Sequence, residues 1–327
     1  MKIRSVACAV VLAAAACGTE PPGPATDIEA ISRAPAPVTI LTAAPDSVAV
    51  KVVDDEGRGV RNVEVQWSGD GVEVSAPTSL TDRNGKAAVA WRSGRTTGSP
   101  GITASVATSD GTRSVAIPVA VVSPMSVRFD GIDDYVQVPN SATLAAGTGN
   151  FAWEIWLKRG RTGIREDVMT KKNVFADSER DVAFVVEGDG RVSAFLRDSP
   201  FRSTVIVESV SSIGTDWAHV VMSRNGGVVS LYVNGRLEGE RSAPFDVTSS
   251  GPLRIGANRL NNAGPDAPVA FPFSGLVHEV RVWNRALLAP DVAAAAMGCV
   301  PRRTQGVVAD LRFDEGSGTA VRDASVN

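Results

Sequence analysis

Residues 217–235, WAHVVMSRNGGVVSLYVNG, decide the fold of the second half of the chain. Two runs rich in valine flank the Asn-Gly-Gly turn at 225–227, and a second turn, Asn-Gly, follows at 234–235. Asparagine and glycine tolerate the positive φ that a tight turn demands, so the pattern predicts two consecutive β-hairpins. A third hairpin is predicted around the Gly-Asp-Gly turn at 188–190.

These hairpins belong to a longer β region that opens at Pro124 and reaches about Met297. That length suits a large two-sheet jelly roll better than a small sandwich. Upstream, residues 38–122 contain short alternating runs separated by turn signals at intervals of roughly 8 to 12 residues, which is typical of an all-β sandwich. The sequence therefore predicts an all-β protein with two β-sandwich domains in series, at 38–122 and 124–298.

The composition excludes several classes of function. The 327 residues carry 33 Lys and Arg against 36 Asp and Glu, a net charge of −3, so no bulk positive field exists to attract nucleic acid. Only two histidines and three cysteines occur, which leaves few residues for zinc, Cys-His or Ser-His-Asp sites. We expect no nucleic-acid partner, and the composition disfavours these enzyme classes.

The first 17 residues have the pattern of an export signal. A short cationic start precedes an apolar run at 6–16, which is shorter than the roughly 20 residues that a membrane span needs. Residues 12–18, LAAAACG, resemble the lipobox of bacterial lipoproteins, although Ala14 stands where a large aliphatic residue is usual. The resemblance implies acylation of Cys17 and membrane attachment by this lipid anchor only, at the bacterial cell envelope or surface. The alternative is an ordinary signal peptide that is cleaved at a small-residue site.

A linker is predicted at 18–37, where proline, glycine and other small residues predominate. The domain that follows has the frame GVxxVxVxW at 59–67 and the turn TDRNG at 81–85. These motifs resemble the bacterial Ig-like domains of invasin and intimin type. The resemblance implies an Ig-like β-sandwich that acts mainly as a rigid spacer, and no binding residue can be carried over from the family to this chain.

The second domain contains six blocks that resemble, in order, those of LamG-like, concanavalin A-like domains. The blocks are 127–136, 151–157, 217–220, 231–235, 253–256 and 273–287. The resemblance implies a jelly-roll sandwich of two antiparallel sheets, used outside the cell to bind glycans or proteins and often carrying structural calcium. One departure from the family pattern is His278, where aspartate is usual.

A calcium site is one interpretation of Asp130, Asp133 and Asp134, which place three carboxylates on one predicted turn. The alternative is that these residues serve the geometry of the turn by accepting backbone hydrogen bonds. Glu279 is a more distant candidate ligand, although it could equally be solvated or pair with Arg281 or Arg285.

Four residues are candidates for ligand binding. Asn258, Asn261 and Asn262 lie on the long polar loop 256–268, and amides can bond sugar hydroxyls in both directions. The alternative for this loop is a flexible surface segment. Trp156 is the fourth candidate, because strand alternation places it opposite Trp153 and on the same face as Glu154.

The tail, 299–327, contains VADLRFDEGSGT at 308–319, which resembles the opening segment of another LamG-like unit. We expect a truncated second unit; the alternative is that the segment pairs back onto the preceding domain.

Enzyme chemistry is disfavoured. A glycosidase needs two carboxylates about 5 to 9 Å apart, whereas the motifs around Glu154 and Glu279 each offer a single glutamate. His219 lies in an apolar strand, where a packing role is favoured over catalysis. The sequence thus predicts a non-catalytic, exported and lipid-anchored protein that recognises a glycan or an extracellular protein. Two alternatives remain open, a structural envelope protein and a polysaccharide hydrolase.

Overall fold

The computed structural model describes residues 21–32, 35–172, 181–198, 203–259, 269–298 and 305–325. The predicted signal segment with Cys17 lies outside these residues, as do Asn261 and Asn262. Strands predominate throughout, as the sequence predicts. Among the helices of these ranges, none is long and apolar enough to cross a membrane.

Residues 27–122 form the N-terminal β region, which is built from eleven strands. They are β1 (Asp27–Ala30), β2 (Val38–Thr39), β3 (Val48–Val53), β4 (Glu64–Asp70), β5 (Val72–Val74), β6 (Thr78–Leu80), β7 (Lys86–Val89), β8 (Trp91–Ser93), β9 (Gly101–Thr108), β10 (Gly111–Pro118) and β11 (Val121–Val122). A three-stranded sheet, β1-β3-β7, and a four-stranded sheet, β10-β9-β4-β6, are both antiparallel. Alternate valines of β3 (48, 50 and 52) are fully buried in the shared core.

Strand β1 lies within the segment predicted as a linker. It pairs with β3, and Ile28 is buried in the core of the N-terminal β region. A strand of four residues with one buried position offers too little alternation to be recognised in sequence. The ordered β region therefore begins earlier than the predicted boundary at residue 38.

The C-terminal sandwich contains the remaining strands, a 3₁₀ turn (Ala142–Leu144) and one α-helix, α1 (Ala289–Ala296). The strands are β12 (Val127–Asp130), β13 (Val136–Val138), β14 (Phe151–Arg159), β15 (Glu166–Lys171), β16 (Asp181–Val186), β17 (Arg191–Arg197), β18 (Thr204–Ser212), β19 (Trp217–Asn225), β20 (Val228–Val233), β21 (Arg236–Ser242), β22 (Leu253–Ile255), β23 (Asn258–Arg259), β24 (Val269–Ala270), β25 (Ser274–Trp283) and β26 (Val307–Leu311). All three predicted hairpins are present, as β16-β17, β19-β20 and β20-β21.

Two large antiparallel sheets form this sandwich. One has the order β12-β25-β14-β19-β20-β21, and the other has the order β13-β22-β15-β16-β17-β18. Their facing sides share one apolar core, to which β14 contributes Phe151, Trp153 and Ile155. Because side chains alternate along a strand, Glu154 and Trp156 lie on the opposite, outer face of the first sheet.

The C-terminal tail pairs back onto the sandwich. Strand β12 pairs with residues 274–277 of β25, and β26 pairs with residues 280–283 of the same strand. The two short strands thus follow one another along a single neighbour, and Ala309 and Leu311 of β26 are buried in the core. Of the two alternatives for the tail, the structure shows this pairing rather than a separate unit beginning within 305–325.

Candidate functional site

The outer face of β14, β19 and β25 gathers charged and aromatic residues from distant parts of the chain. In the register of these strands, Glu154 lies opposite Arg281, and Trp156 lies between His219 and Glu279. Directly opposed residues on neighbouring strands lie on the same face of the sheet. Strand pairing alone therefore places these five side chains together.

Glu154 is held at the centre of this group, with only 2% of its surface exposed. His219 Nε2 donates to its Oε1 at 3.0 Å, and Trp283 Nε1 donates to its Oε2 at 3.1 Å. Burial by itself raises the pKa of Glu154, but the hydrogen bond and charge of His219, the charge of Arg281 and the Trp283 bond outweigh it, so the pKa is lowered. Glu154 is therefore held as a buried carboxylate.

Arg281 connects three carboxylates. Its Nη1 lies 3.6 Å from Glu154 Oε1, its Nη2 donates to Glu279 Oε1, and its Nε lies 3.4 Å from Asp310 Oδ1. Burial lowers the pKa of Arg281, but the three negative charges outweigh it and raise the pKa. The pKa of Glu279 is raised, mainly by burial and further by the charge of Glu154, against the lowering effect of Arg281. We call Glu154, His219, Glu279, Arg281, Trp283 and Asp310 the Glu154 network.

A cavity of about 430 Å³ lies over this network, between the sandwich and the N-terminal β region. The loop 39–42 of the N-terminal β region forms one wall, and α1 with the segment that follows it contributes another through Asp291, Ala294, Ala295 and Gly298. Charged and aromatic side chains complete the lining, namely Glu154, Trp156, His278, Glu279, Arg281, Trp283, Arg285, Asp291 and Asp314. Its volume lies within the range of 300 to 1,000 Å³ that is typical of ligand pockets.

Direct contacts between the two β regions enclose this cavity. Trp156 and Trp217 of the sandwich belong to the same apolar cluster as the core of the N-terminal β region. Arg92 Nη2 donates to the carbonyl oxygen of Met297 at 2.6 Å, and Arg95 Nη2 donates to that of Ala296 at 2.9 Å. The N-terminal β region thus caps the end of α1 and forms part of the cavity.

The predicted ligand-binding residues do not form one group. Trp156 lines the cavity but is only 6% exposed, with His219 at 4.8 Å and the Arg95 guanidinium at 5.9 Å from its ring centre. Asn258 lies elsewhere, where its Nδ2 donates to Asp167 Oδ2 at 2.7 Å. Burial raises the pKa of Asp167 despite this hydrogen bond. The binding roles of Trp156 and Asn258 stay predictions.

Asp130, Asp133 and Asp134 do lie together, with one carboxylate oxygen of each within 4.8 Å of the others. All three are exposed, and two of them also serve the turn. The Asp130 amide donates to Asp134 Oδ2 at 2.9 Å, and the Ile132 amide donates to Asp130 Oδ1 at 2.7 Å. The donor set fits a hard cation such as calcium, which prefers six to eight oxygen ligands, and it equally fits the structural interpretation.

Glu279 does not join these aspartates. Asp130 is paired with Ser274, and Glu279 lies five residues further along β25, roughly 17 Å at 3.3 Å per residue. The proposal that it shares an ion with the turn is therefore corrected, because the strand carries Glu279 into the Glu154 network instead.

Several residues of the Glu154 network and of the cavity lining could not be found from the sequence. The sequence places Glu154 and Glu279 in separate motifs, and it does not single out Trp283, Asp310 or the loop 39–42. The signal for Glu154 and Trp156 was their shared face on β14. The contribution of Asp310 depends on the pairing of β26, which comes from the tail.

Comparison with known proteins identifies the family. The model described as "Concanavalin A-like lectin/glucanases superfamily" matches residues 130–293. No curated protein sequence matches the chain. Among solved structures, the heptameric SAP-like pentraxin of Limulus polyphemus is similar, with 16% identity, a TM-score of 0.45, and coverage of 61% of this chain and 91% of that one.

Two further solved structures are similar to part of the chain. The Ruminococcus gnavus IT-sialidase CBM40 has 14% identity and a TM-score of 0.43, over 52% of this chain and 97% of that one. The leech intramolecular trans-sialidase has 14% identity and a TM-score of 0.45, over 56% of this chain and 28% of that one. With two stacked antiparallel sheets and a family match that spans half of its length, the chain belongs to the concanavalin A-like lectin/glucanases superfamily.

Proposed function

We propose that this protein binds carbohydrate, without hydrolysing it, in the cavity between its two β regions. The observation that carries the proposal is the Glu154 network beneath that cavity. Sugar hydroxyls both donate and accept hydrogen bonds, and the carboxylates and guanidinium groups of the cavity offer both kinds of partner in fixed positions. The family name, which includes lectins, agrees with a saccharide as ligand.

The fixed positions come from the pairing within the network. Arg281 is held by three carboxylates, and both oxygens of Glu154 accept hydrogen bonds from buried donors. Side chains that are already ordered lose little conformational entropy when a ligand binds. The same pairing supports the non-catalytic assignment, because Glu154 is committed to His219 and Trp283.

Export and lipid anchoring through Cys17 are part of the proposal, and the pattern of residues 1–17 supports them. We further propose that the N-terminal β region is Ig-like and that the ligand is a glycan or a glycosylated extracellular protein. Calcium is proposed as a structural ion on Asp130, Asp133 and Asp134, where its charge would stabilise the turn.

A variant that fills the cavity tests the binding site. Ala294 lines the cavity from an exposed position on α1, so Ala294→Trp should fill the cavity while every residue of the Glu154 network is kept. We expect the wild-type protein to retain saccharides on a glycan array and Ala294→Trp to lose at least tenfold in affinity by calorimetry. Ala293→Trp, at the neighbouring exposed position that does not line the cavity, is the matched control. Equal binding by wild type and Ala294→Trp would move the site elsewhere.

Hydrolysis is a second candidate function, favoured by one observation. Glu154 and Glu279 line the same cavity, and their pKa values are shifted in opposite directions, as in the acid and base pair of a glycosidase. Release of reducing sugar from a bound oligosaccharide, lost in both Glu154→Gln and Glu279→Gln, would establish this function. Retention of intact ligand after prolonged incubation would support binding alone.

A further inference from the structure

We propose that the cavity selects saccharides that carry a protonated amine, such as amino sugars with a free amino group. This inference rests on the proposed function and specifies the class of ligand. It follows from the balance of charge on the described residues that line the cavity, and from how those charges are already paired.

Carboxylates outnumber basic groups on these walls. Four carboxylates, Glu154, Glu279, Asp291 and Asp314, lie on the same walls as three basic groups, Arg281, Arg285 and His278. The carboxylates come from four separate elements, namely β14, β25, α1 and the segment after β26. A ligand in the cavity is therefore surrounded by negative charge rather than lying beside a single acidic edge.

The two arginines are already occupied. Arg281 contacts Glu154, Glu279 and Asp310, and Arg285 lies 3.6 Å from Asp291. Asp310, which lies on β26, also forms an ion pair with Arg312 at 2.8 Å. A guanidinium group that is shared among carboxylates offers little attraction to an anionic ligand. An anionic saccharide would therefore meet uncompensated like charge, which costs affinity.

Two carboxylates remain available to a cation. Asp314 is exposed and forms no hydrogen bond or ion pair with another residue that the structure describes. Among the residues that the structure describes, Glu279 forms one ion pair, with Arg281. Its side chain lines the cavity and is 15% exposed. A protonated amine donates three hydrogen bonds and has no acceptor, so it matches this excess of oxygen acceptors.

Binding of an amine would also relieve an electrostatic cost within the protein. The negative form of Glu279 is disfavoured by burial and by the nearby charge of Glu154. A positive group beside Glu279 would stabilise that form, whereas a neutral sugar would leave the cost in place. The gain for an amine over a hydroxyl at the same position is therefore larger than hydrogen bonding alone provides.

The experiment is calorimetric titration of the full chain at pH 6 with glucosamine, glucose, N-acetylglucosamine and glucuronate. We expect glucosamine to bind about tenfold more tightly than glucose or N-acetylglucosamine, and glucuronate to bind more weakly than either. Glu279→Gln and Asp314→Asn should each reduce the preference for glucosamine about threefold. Because Asp314 is exposed, its substitution should not affect folding, and the test does not depend on the stability of the variant. Glu240→Gln, an exposed position on β21 that does not line the cavity, is the control.

The outcomes separate the two proposals. Neutral or acidic sugars that bind as tightly as glucosamine would overturn the amine selectivity and leave carbohydrate binding intact. A preference for glucosamine that survives both Glu279→Gln and Asp314→Asn would also overturn it. Absence of binding by all four sugars would overturn the selectivity together with the proposed function.

Discussion

Two groups of carboxylates in this molecule have opposite environments. Asp130, Asp133 and Asp134 are exposed neighbours on one turn, where the Asp134 carboxylate accepts from the Asp130 amide and the Asp130 carboxylate accepts from the Ile132 amide. Glu154 and Glu279 are held on the outer face of a sheet, where Arg281 lies between them. The first group is formed by closeness in sequence and the second by strand register.

The difference shows how the cost of burying charge is met. Water solvates the exposed aspartates, so each can be removed without leaving a charged partner alone. Glu154 is 2% exposed, and His219, Trp283 and Arg281 offset the cost of its burial. Removing one member of such a group leaves the others buried and incompletely paired. Equal substitutions in the two groups should therefore have unequal effects.

The largest effect is expected for Glu154→Gln. The variant keeps the shape of the side chain but removes the charge that balances Arg281, and breaking a buried pair costs about 3 kcal/mol or more. We expect a loss of that size in the free energy of unfolding at pH 7, measured as a shift of the urea midpoint. The lowered pKa of Glu154 means that its charge stabilises the fold at neutral pH, and this contribution is lost as pH falls below its ordinary value of 4.5.

Asp133→Asn is the matched control, since it makes the same chemical change at an exposed position. Measured without calcium, it should change the free energy of unfolding by less than about 0.5 kcal/mol. Similar losses in the two variants would show that Glu154 is not stabilised by its network, and the contrast between the two groups would fail.

The sequence placed the three aspartates on one turn and Glu154 on the same face as Trp156, but it did not assemble the Glu154 network, for reasons that follow from this difference. Local spacing was enough to bring the three aspartates together, and alternation along β14 was enough to place Glu154 beside Trp156. The approach of Arg281 and Glu279 depends on the register between β14 and β25, whose pairing shifts between Trp156 and Leu157. Such an irregularity changes which residues are opposed, and no local pattern reports it.

The same reasoning applies to the fold. Turn residues such as Asn234 and Gly235, both with positive φ, made the hairpins predictable. The pairing of the tail was harder to predict, because α1 separates β25 from β26 in the sequence. Strand β26 nevertheless pairs with β25, and its Asp310 contributes to a site formed mainly by earlier strands. The cavity itself requires the docking of two β regions, which depends on surface contacts such as Arg92 with Met297.

A smaller effect is expected from calcium at the Asp turn. If an ion binds only the folded protein, a tenfold excess over its dissociation constant stabilises the fold by about 1.4 kcal/mol. Extracellular modules bind calcium with constants of about 0.1 to 1 mM, so addition of 10 mM calcium should raise the melting temperature by a few degrees. Asp134→Asn should abolish the increase, and Glu279→Gln should leave it unchanged. An increase that persists in Asp134→Asn would place the ion elsewhere.

The effect expected for Glu279→Gln is smaller than that of Glu154→Gln and has the opposite sign. The pKa of Glu279 is raised, so the folded protein favours its neutral form and loses stability as pH rises from 4.5 through the folded pKa. Glutamine cannot ionise, so the stability of the variant relative to wild type should increase as pH rises from 4 to 7. Urea unfolding at both pH values measures this gain. If the variant instead loses stability relative to wild type as pH rises, the attraction of Arg281 for Glu279 outweighs the burial of its charge. The two glutamates of the network would then act alike, whereas their environments predict opposite contributions.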